Sequence, residues 1–485
     1  MLSGPRVLLI SILQKSHRNL SVLSLYSYLK ANGVDIRVLF LPDSTAYNSG
    51  IVHEFLIEHR FDIIGLSVMT ENYFFARTIT RSIKEKSPQT LVIWGGVHPT
   101  LTPEASLEIA DLICVGEGEI PFLQLIRRLY ANKNISAIKG IGFKTQDRGT
   151  VVNEPFPLIM DLDALPHNAY DWRRFYVQDH HGLRPFGKKE YVQYSNYKGE
   201  DYTLMTSRSC PFSCAYCCNS FINKLYGARK TFRKRSVDHI IKEIRYAIDD
   251  IGNLKFINFI DDQFFINREW NDEFCIKYEN EIGLPFIVRL KPGTFSEDDV
   301  RKLKRAGLKF VQIGLQSGSE KTNKEIFNRA FNREEIIQSS HIFSQNEIIP
   351  FYDVIIQNDL EDDEERKKTI DILFELEKPF KCNFFVLTPF PKTELEIIYK
   401  NRGVVPKTDP YNTGYVAYDE NDPFFQLATI IPYTSRNICR YLYDNLCDNH
   451  VREVLKGYYR ASRHLGDRQE TTAQKLSPKS NPRSM

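Results

Sequence analysis

Two series of short apolar runs, each alternating with stretches of helical spacing, limit what this chain can fold into. In the first series the runs fall at 7–12, 36–41, 63–68, 91–94 and 112–115. Between them, Leu20, Leu23, Leu25 and Leu29 make one stripe ahead of Asn32-Gly33, and Phe74, Ala76, Ile79 and Ile83 make another. Short strands alternating with helices imply a parallel sheet, because parallel neighbours are joined only by a crossover. Five such units predict an α/β, doubly wound sheet of the flavodoxin-like kind, whose ligands bind outside the carboxyl ends of the strands. The second series runs 202–206, 256–260, 286–290, 310–314, 351–356 and 383–388. Val237, Ile240, Ile241, Ile244 and Ile248 mark one of its helices, and Ser296-Glu297-Asp298-Asp299 opens another that Gly307 ends. Six units are too few for a closed eight-stranded barrel and predict a partial (βα)6 barrel with its chemistry at the carboxyl ends.

These series divide the chain into a first α/β domain over 1–135 and a barrel over 196–400. Between them, 136–195 reads as a connector with little regular structure, punctuated by Pro155, Pro157 and Pro166. Residues 401–465 read as a C-terminal helical region, and 466–485, nearly free of apolar residues, as a disordered tail. A length of 485 residues with 42% hydrophobic content supports large cores, and a net charge of +3 gives no case for nucleic acid as a partner. No apolar stretch reaches the ~18 residues a membrane span needs. The run at 7–12 is followed at once by Gln14-Lys15-Ser16-His17-Arg18, so it reads as a first strand and not a signal peptide.

Directly after the first strand of the second series comes Ser209-Cys210-Pro211-Phe212-Ser213-Cys214-Ala215-Tyr216-Cys217. Three thiolates at C-x3-C-x2-C spacing can each hold one iron of a four-iron cluster and leave the fourth iron open. An open position separates a catalytic metal site from a closed structural one. A zinc knuckle is the alternative, but Cys218 is adjacent to Cys217 and His239 has no partner at ligand spacing. The remaining cysteines, Cys114, Cys275, Cys382, Cys439 and Cys447, are scattered singly, which is cytoplasmic usage and not a disulfide framework.

The cysteine run resembles the cluster loop of the radical S-adenosylmethionine (radical SAM) enzymes, and the barrel is similar to theirs. The resemblance implies that Cys210, Cys214 and Cys217 ligate a [4Fe-4S] cluster whose open iron chelates SAM. It puts Tyr216 beside adenine, although an aromatic there could also wedge the loop. Asp261-Asp262-Gln263-Phe264 resembles the run that meets the SAM amino group; a helix cap is the other reading of Asp261 and Asp262. Arg289 ends the third strand, where it could grip the SAM carboxylate or be an ordinary surface residue. Gly314-Leu315-Gln316-Ser317-Gly318 resembles a G-x-E-S-G run near the ribose and methionyl part, with Gln316 in place of the acid and Ser317 beside it. Two departures stand out: Ser209 precedes the first cysteine where Gly is common, and Gln357-Asn358-Asp359-Leu360 lacks the usual G-x-P-G-E turn. The run Thr388-Pro389-Phe390-Pro391-Lys392-Thr393 matches the family's terminal segment and reads as architecture.

Upstream, Trp94-Gly95-Gly96-Val97-His98-Pro99, Pro103-Glu104, Asp111 and Val115-Gly116-Glu117-Gly118-Glu119 form an ordered series. It resembles the cobalamin-binding domain of the B12-binding radical SAM class. On that resemblance Gly95, Gly96, Gly116 and Glu117 contact cobalamin. The D-x-H-x-x-G motif of His-ligated corrinoid proteins is absent, and His17 and His98 read as structural.

The resemblance implies an enzyme that cleaves SAM to methionine and a 5′-deoxyadenosyl radical and, with cobalamin, methylates an unactivated carbon. A cobalamin-free enzyme doing cyclisation, rearrangement or carbon–carbon bond formation, with the first domain as scaffold, is one rival. A non-enzymatic corrinoid or iron–sulfur binding module is another. Expected partners are a small-molecule, lipid or peptide substrate and an electron donor such as flavodoxin or ferredoxin. An oxygen-sensitive cluster fits the cytoplasm.

Overall fold

A computed structural model of the chain describes residues 4–13, 15–145, 149–195, 197–227, 231–265, 267–411 and 418–473. It divides into two compact units: 1–254 with 260–262 and 388–416, and 255–259 with 263–387 and 417–485.

The first unit is built on a nine-stranded sheet. Its centre is β1 (Arg6–Ser11), β2 (Asp35–Phe40), β3 (Ile63–Ser67), β4 (Leu91–Gly95) and β5 (Leu112–Cys114), in the order β5-β4-β3-β1-β2, all parallel. This is the flavodoxin-like order anticipated above. These strands are buried on both faces, which is why they read as continuous apolar runs. Leu8, Ile10, Leu39, Val92, Trp94 and Ile113 are fully enclosed. Trp94 can be buried because its indole N–H donates to Thr80 Oγ1 at 2.9 Å.

Residues 136–195 are more regular than the sequence suggests. They supply β6 (Ile141–Thr145), β7 (Gly149–Val152), β8 (Phe175–Asp179) and β9 (Gly182–Pro185). The β6/β7 pair extends the sheet beyond β5 in antiparallel fashion, while β8 joins β2 in parallel and β9 returns antiparallel. Edge strands need only one covered face, so their sequence lacks the solid apolar run that marks the centre.

The second series forms all six of its strands. The first, β10 (Asp201–Leu204), lies in the first unit, followed by a short antiparallel pair, β11 (Ser207–Arg208) and β12 (Arg233–Lys234). The other five make the parallel sheet of the second unit: β13 (Phe256–Phe259), β14 (Phe286–Leu290), β15 (Leu308–Gln316), β16 (Ile349–Gln357) and β17 (Lys381–Val386). Burial alternates along β14 to β16, with one face sealed and the other half-exposed. The capping box at Ser296 is present, with Asp299 returning to the Ser296 amide, and Gly307 ends that helix at φ +120°.

Three helices, Pro423–Ile430, Arg436–Asp444 and Asn449–Ala473, form the C-terminal region. The last extends past 466, so a tail starting there is corrected; 474–485 lie outside the described residues. Among the described residues no helix is long and apolar enough to cross a membrane.

Candidate functional site

The cysteine loop is fastened before it begins. Buried Asp261 accepts from the Thr206 amide and hydroxyl at 2.8–3.1 Å and from the Ser207 hydroxyl. These hydrogen bonds tie the Asp261 carboxylate to the two residues that lead into the loop. Its neighbour Asp262 is exposed and accepts from Asn219 Nδ2 at 2.9 Å. Consecutive residues at a strand end point to opposite sides, so one acid braces the loop and the other faces out.

Ser209 then turns the chain at φ +67°. This left-handed geometry is where glycine is at ease, which accounts for the glycine common at that position. We predict that Ser209→Gly leaves cluster loading unchanged. Ser209→Val, β-branched, should cost about 1–2 kcal/mol, read from urea unfolding. Equal stability of the two variants would contradict the strain.

Within the loop, Asn223 Nδ2 donates to the Cys210 carbonyl at 2.8 Å and is itself held by Thr231 at 2.7 Å. Cys217 N donates to Cys214 O at 3.0 Å, and the Ser220 hydroxyl closes on Cys217 O at 2.8 Å. The Leu395 amide donates to Ala215 O at 3.0 Å, and Lys224 pairs with Glu394. The segment after the terminal Thr-Pro run thus packs on the cysteine loop.

Cys210, Cys214 and Cys217 are all free thiols. Burial pushes the Cys210 thiol up to about 12, reinforced by Asp262 and by the other two cysteines. Cys217 is raised chiefly by its hydrogen bond with the Cys218 thiol, and then by burial. Thiols in such surroundings stay neutral until a cationic centre draws the protons off. Among the described residues, no three His, Cys, Asp or Glu side chains converge as ligands of one metal ion. Tyr216 is half-buried on the same loop.

Beside this loop in the same unit lies the edge of the flavodoxin-like sheet. Gly95 and Gly96 keep half-exposed backbone at the end of β4, with Gly96 at φ +100°. A Cβ on Gly96 would come within 3.0 Å of the Val68 carbonyl, so only glycine lets this turn close. Gly116 and Glu117 are engaged within the protein. A Cβ on Gly116 would lie 1.8 Å from the Tyr226 hydroxyl, so that side chain covers the position. Glu117 is gripped by Arg233 at 2.8 Å and 3.0 Å and faces Arg208 at 3.4 Å. Both residues tie the sheet edge to the segments flanking the cysteines.

His17 is not poised as a ligand. Its Nδ1 lies 2.7 Å from the Tyr170 hydroxyl, its ring is packed by Phe186 and Tyr191, and burial lowers it to about 3. His98 is likewise buried, beside Thr70 and Thr102, and lowered to about 4.

In the second unit, Arg289 lies on the half-exposed face of β14, and its Nε donates to Gln312 Oε1 at 3.0 Å. Gln316 ends β15 at φ +64° and is half-buried. Ser317 is fully buried and donates its hydroxyl to Glu361. It also accepts from the Ser319 amide at 3.0 Å. Burial raises Glu361, and this acid stands in the turn after β16 that departs from the family pattern. The sequence reading missed Gln312, Asp353 and Asn383, which share the open face. The signal available was an acid in the middle of an apolar strand, Phe351-Tyr352-Asp353-Val354.

Comparison with known proteins adds to this geometry. Residues 5–126 match the B12 binding domain family and 204–373 the Radical SAM superfamily. An uncharacterized methyltransferase of Pyrococcus horikoshii is 27% identical over 69% of this chain and 68% of its own length. An anaerobic magnesium-protoporphyrin IX monomethyl ester cyclase of Rubrivivax gelatinosus is 24% identical over 76% of this chain and 64% of its own length. In fold, the chain is similar to the radical SAM methyltransferase TsrM from Kitasatospora setae, with TM-score 0.68 and 16% identity over 82% of this chain and 76% of the other. It is equally similar to OxsB, a cobalamin-dependent SAM radical enzyme solved with aqua-cobalamin and SAM bound, with TM-score 0.68 and 17% identity over 94% and 75%.

Proposed function

This chain belongs to the radical SAM enzymes that carry a B12-binding domain, and we propose that it methylates an unactivated carbon of its substrate. The observation that carries the reading is the placement of three free cysteines on a braced loop, in one compact unit with the B12-type sheet. Cys210, Cys214 and Cys217 would hold the [4Fe-4S] cluster, and Gly95 and Gly96 would border cobalamin. Asp262 would take the SAM amino group, Arg289 its carboxylate, Tyr216 its adenine and Gln316 its ribose. When bound, these groups supply a 5′-deoxyadenosyl radical and a transferable methyl. The protein's part is to orient them and exclude water. An external one-electron donor such as flavodoxin or ferredoxin would feed the cluster, in the cytoplasm.

The cyclase relatives support a second reading, in which the same radical drives ring closure or rearrangement without methyl transfer. One experiment separates them. Protein reconstituted anaerobically with iron, sulfide and cobalamin is supplied with SAM and candidate substrates, and the products are weighed by mass spectrometry. A gain of one methylene mass supports methylation. Deoxyadenosine formed without methyl gain in any product would sink methylation and leave radical chemistry standing.

A further inference from the structure

The carboxyl end of β15 leaves regular strand geometry. Gly314 lies opposite Asp353 and Gln316 opposite Val354, so Leu315 is an extra residue and the strand bulges. The Ser317 amide then returns to the Leu315 carbonyl at 2.9 Å, closing a three-residue turn with Gln316 at its centre, φ +64°. A turn of three residues with positive φ at its centre is the rare, strained form. Bulges re-aim side chains, and strain of this kind persists only where the surroundings impose it. A Cβ on Gly314 would lie 3.0 Å from the side-chain nitrogen of Gln316. The missing side chain is the room into which that amide folds back along the strand.

Part of what imposes the turn comes from the next strand. The Ser317 hydroxyl donates to Glu361, in the turn after β16, and accepts from the Ser319 amide. The Ser317 carbonyl accepts from Asn323 Nδ2 at 2.8 Å, but Ser319 and Asn323 continue the same segment and move with it. Glu361 instead ties the neighbour of Gln316 to β16, across 44 positions of sequence. The Gly318 amide adds a bond to Thr369 Oγ1 at 2.8 Å, on the helix Asp363–Glu375 that starts just after Glu361. Burial disfavours an ionised acid here. A hydrogen bond to a carboxylate is roughly twice as strong as one between neutral groups, which suits a turn that must be held against strain.

We propose that Glu361 is a positioning residue for SAM: by gripping Ser317 it holds the strained turn that aims the Gln316 amide at the ribose hydroxyls. This rests on the reading of Gln316 given above. Glu361 itself touches neither SAM nor the reacting atoms. An amide donates from one end and accepts at the other, so it serves a pair of hydroxyls only in a fixed orientation. A loosened turn therefore costs affinity for SAM more than it slows cleavage.

The test compares Gln316→Ala, Glu361→Ala, Ser317→Ala and the double variant Gln316→Ala/Glu361→Ala as cluster-loaded full-length protein. Equilibrium SAM binding and the KM and kcat of deoxyadenosine formation are measured. Gln316→Ala should weaken SAM binding about tenfold. Glu361→Ala and Ser317→Ala should each raise the Kd and KM for SAM by a similar factor, with kcat changed far less. Ser317→Ala removes the same bond from the other side, which keeps the test decisive if Glu361→Ala folds poorly. The double variant should bind SAM no more weakly than Gln316→Ala, because a turn with no amide to aim gains nothing from being held. Additive losses would show that Glu361 acts elsewhere and overturn the proposal, as would a loss confined to kcat. If Gln316→Ala weakens binding while Glu361→Ala and Ser317→Ala bind normally, the positioning role falls and the reading of Gln316 stands. If Gln316→Ala binds SAM normally, both fall.

Discussion

Cys214→Ala is expected to give a protein that folds but cleaves no SAM. Cys214 is the most enclosed of the three loop cysteines, 9% exposed against the half-buried Cys210 and Cys217. The loop backbone does not depend on its sulfur. It is held by Asn223 at Cys210, by Ser220 at Cys217 and by the Leu395 amide at Ala215. Removing one sulfur should therefore cost only about 1 kcal/mol of stability. The effect on chemistry is of another order, because the cluster would lose one of its three thiolate ligands. Cys218 is tied to Cys217, and Asp262, an exposed acid beside Cys210 and Cys217, is a hard oxygen ligand poorly matched to a cluster iron. Iron and sulfide analysis after anaerobic reconstitution should show loss of the cluster, and deoxyadenosine should fall to background. Wild-type cleavage in the variant would overturn the cluster assignment, and with it every role proposed for the barrel face.

The two alternating series were readable because parallel strands buried on both faces leave solid apolar runs, as at Val7 to Ile10 and Ile63 to Leu66. The same logic hid β6 to β9, whose exposed edges mix polar and apolar residues. At the site, the cysteine spacing is local and could be read directly from the sequence, and the three cysteines lie together on one loop. The adjacent acids Asp261 and Asp262 were not separable, because sequence does not say which side of the strand end is sealed. The ion pairs of Glu117 were hidden for a related reason. A glycine-flanked acid at a sheet edge suits a ligand, yet its partners Arg208 and Arg233 lie 91 and 116 positions away in number, out of reach of any local pattern. The hydrogen bonds that link Arg289, Gln312, Asp353 and Asn383 span four strands, and each joins residues 23–41 positions apart. Only the misplaced charge of Asp353 marked them in advance.

The second large effect concerns the pair that locks the sheet edge to the cluster loop. Arg208, two residues before Cys210, donates to Glu119, which also accepts from the Ser24 hydroxyl at 2.8 Å. Glu119 is 5% exposed. Burial alone would raise its carboxyl. The charge of Arg208, with hydrogen bonds from Arg208, Ser24 and the Glu119 amide, outweighs burial and holds it below the ordinary carboxylate value. Glu119→Ala leaves a mostly buried guanidinium with only Glu117, at 3.4 Å, for charge. Breaking a buried pair from one side costs about 3–5 kcal/mol, and a loss of that size in urea unfolding at neutral pH is expected. The pH dependence follows from the depressed carboxyl. Its contribution is complete above the ordinary carboxylate range and is lost as pH falls through the lower folded value. The gap between wild type and Glu119→Ala should therefore narrow on acidification. A double-mutant cycle with Arg208→Ala isolates the pair. A variant within about 1 kcal/mol of wild type at neutral pH, with no change in the gap on acidification, would show that the lock is not the ion pair. The remaining hold on the loop would then lie with Asp261, whose bonds to Thr206 and Ser207 fasten the same few residues ahead of Cys210.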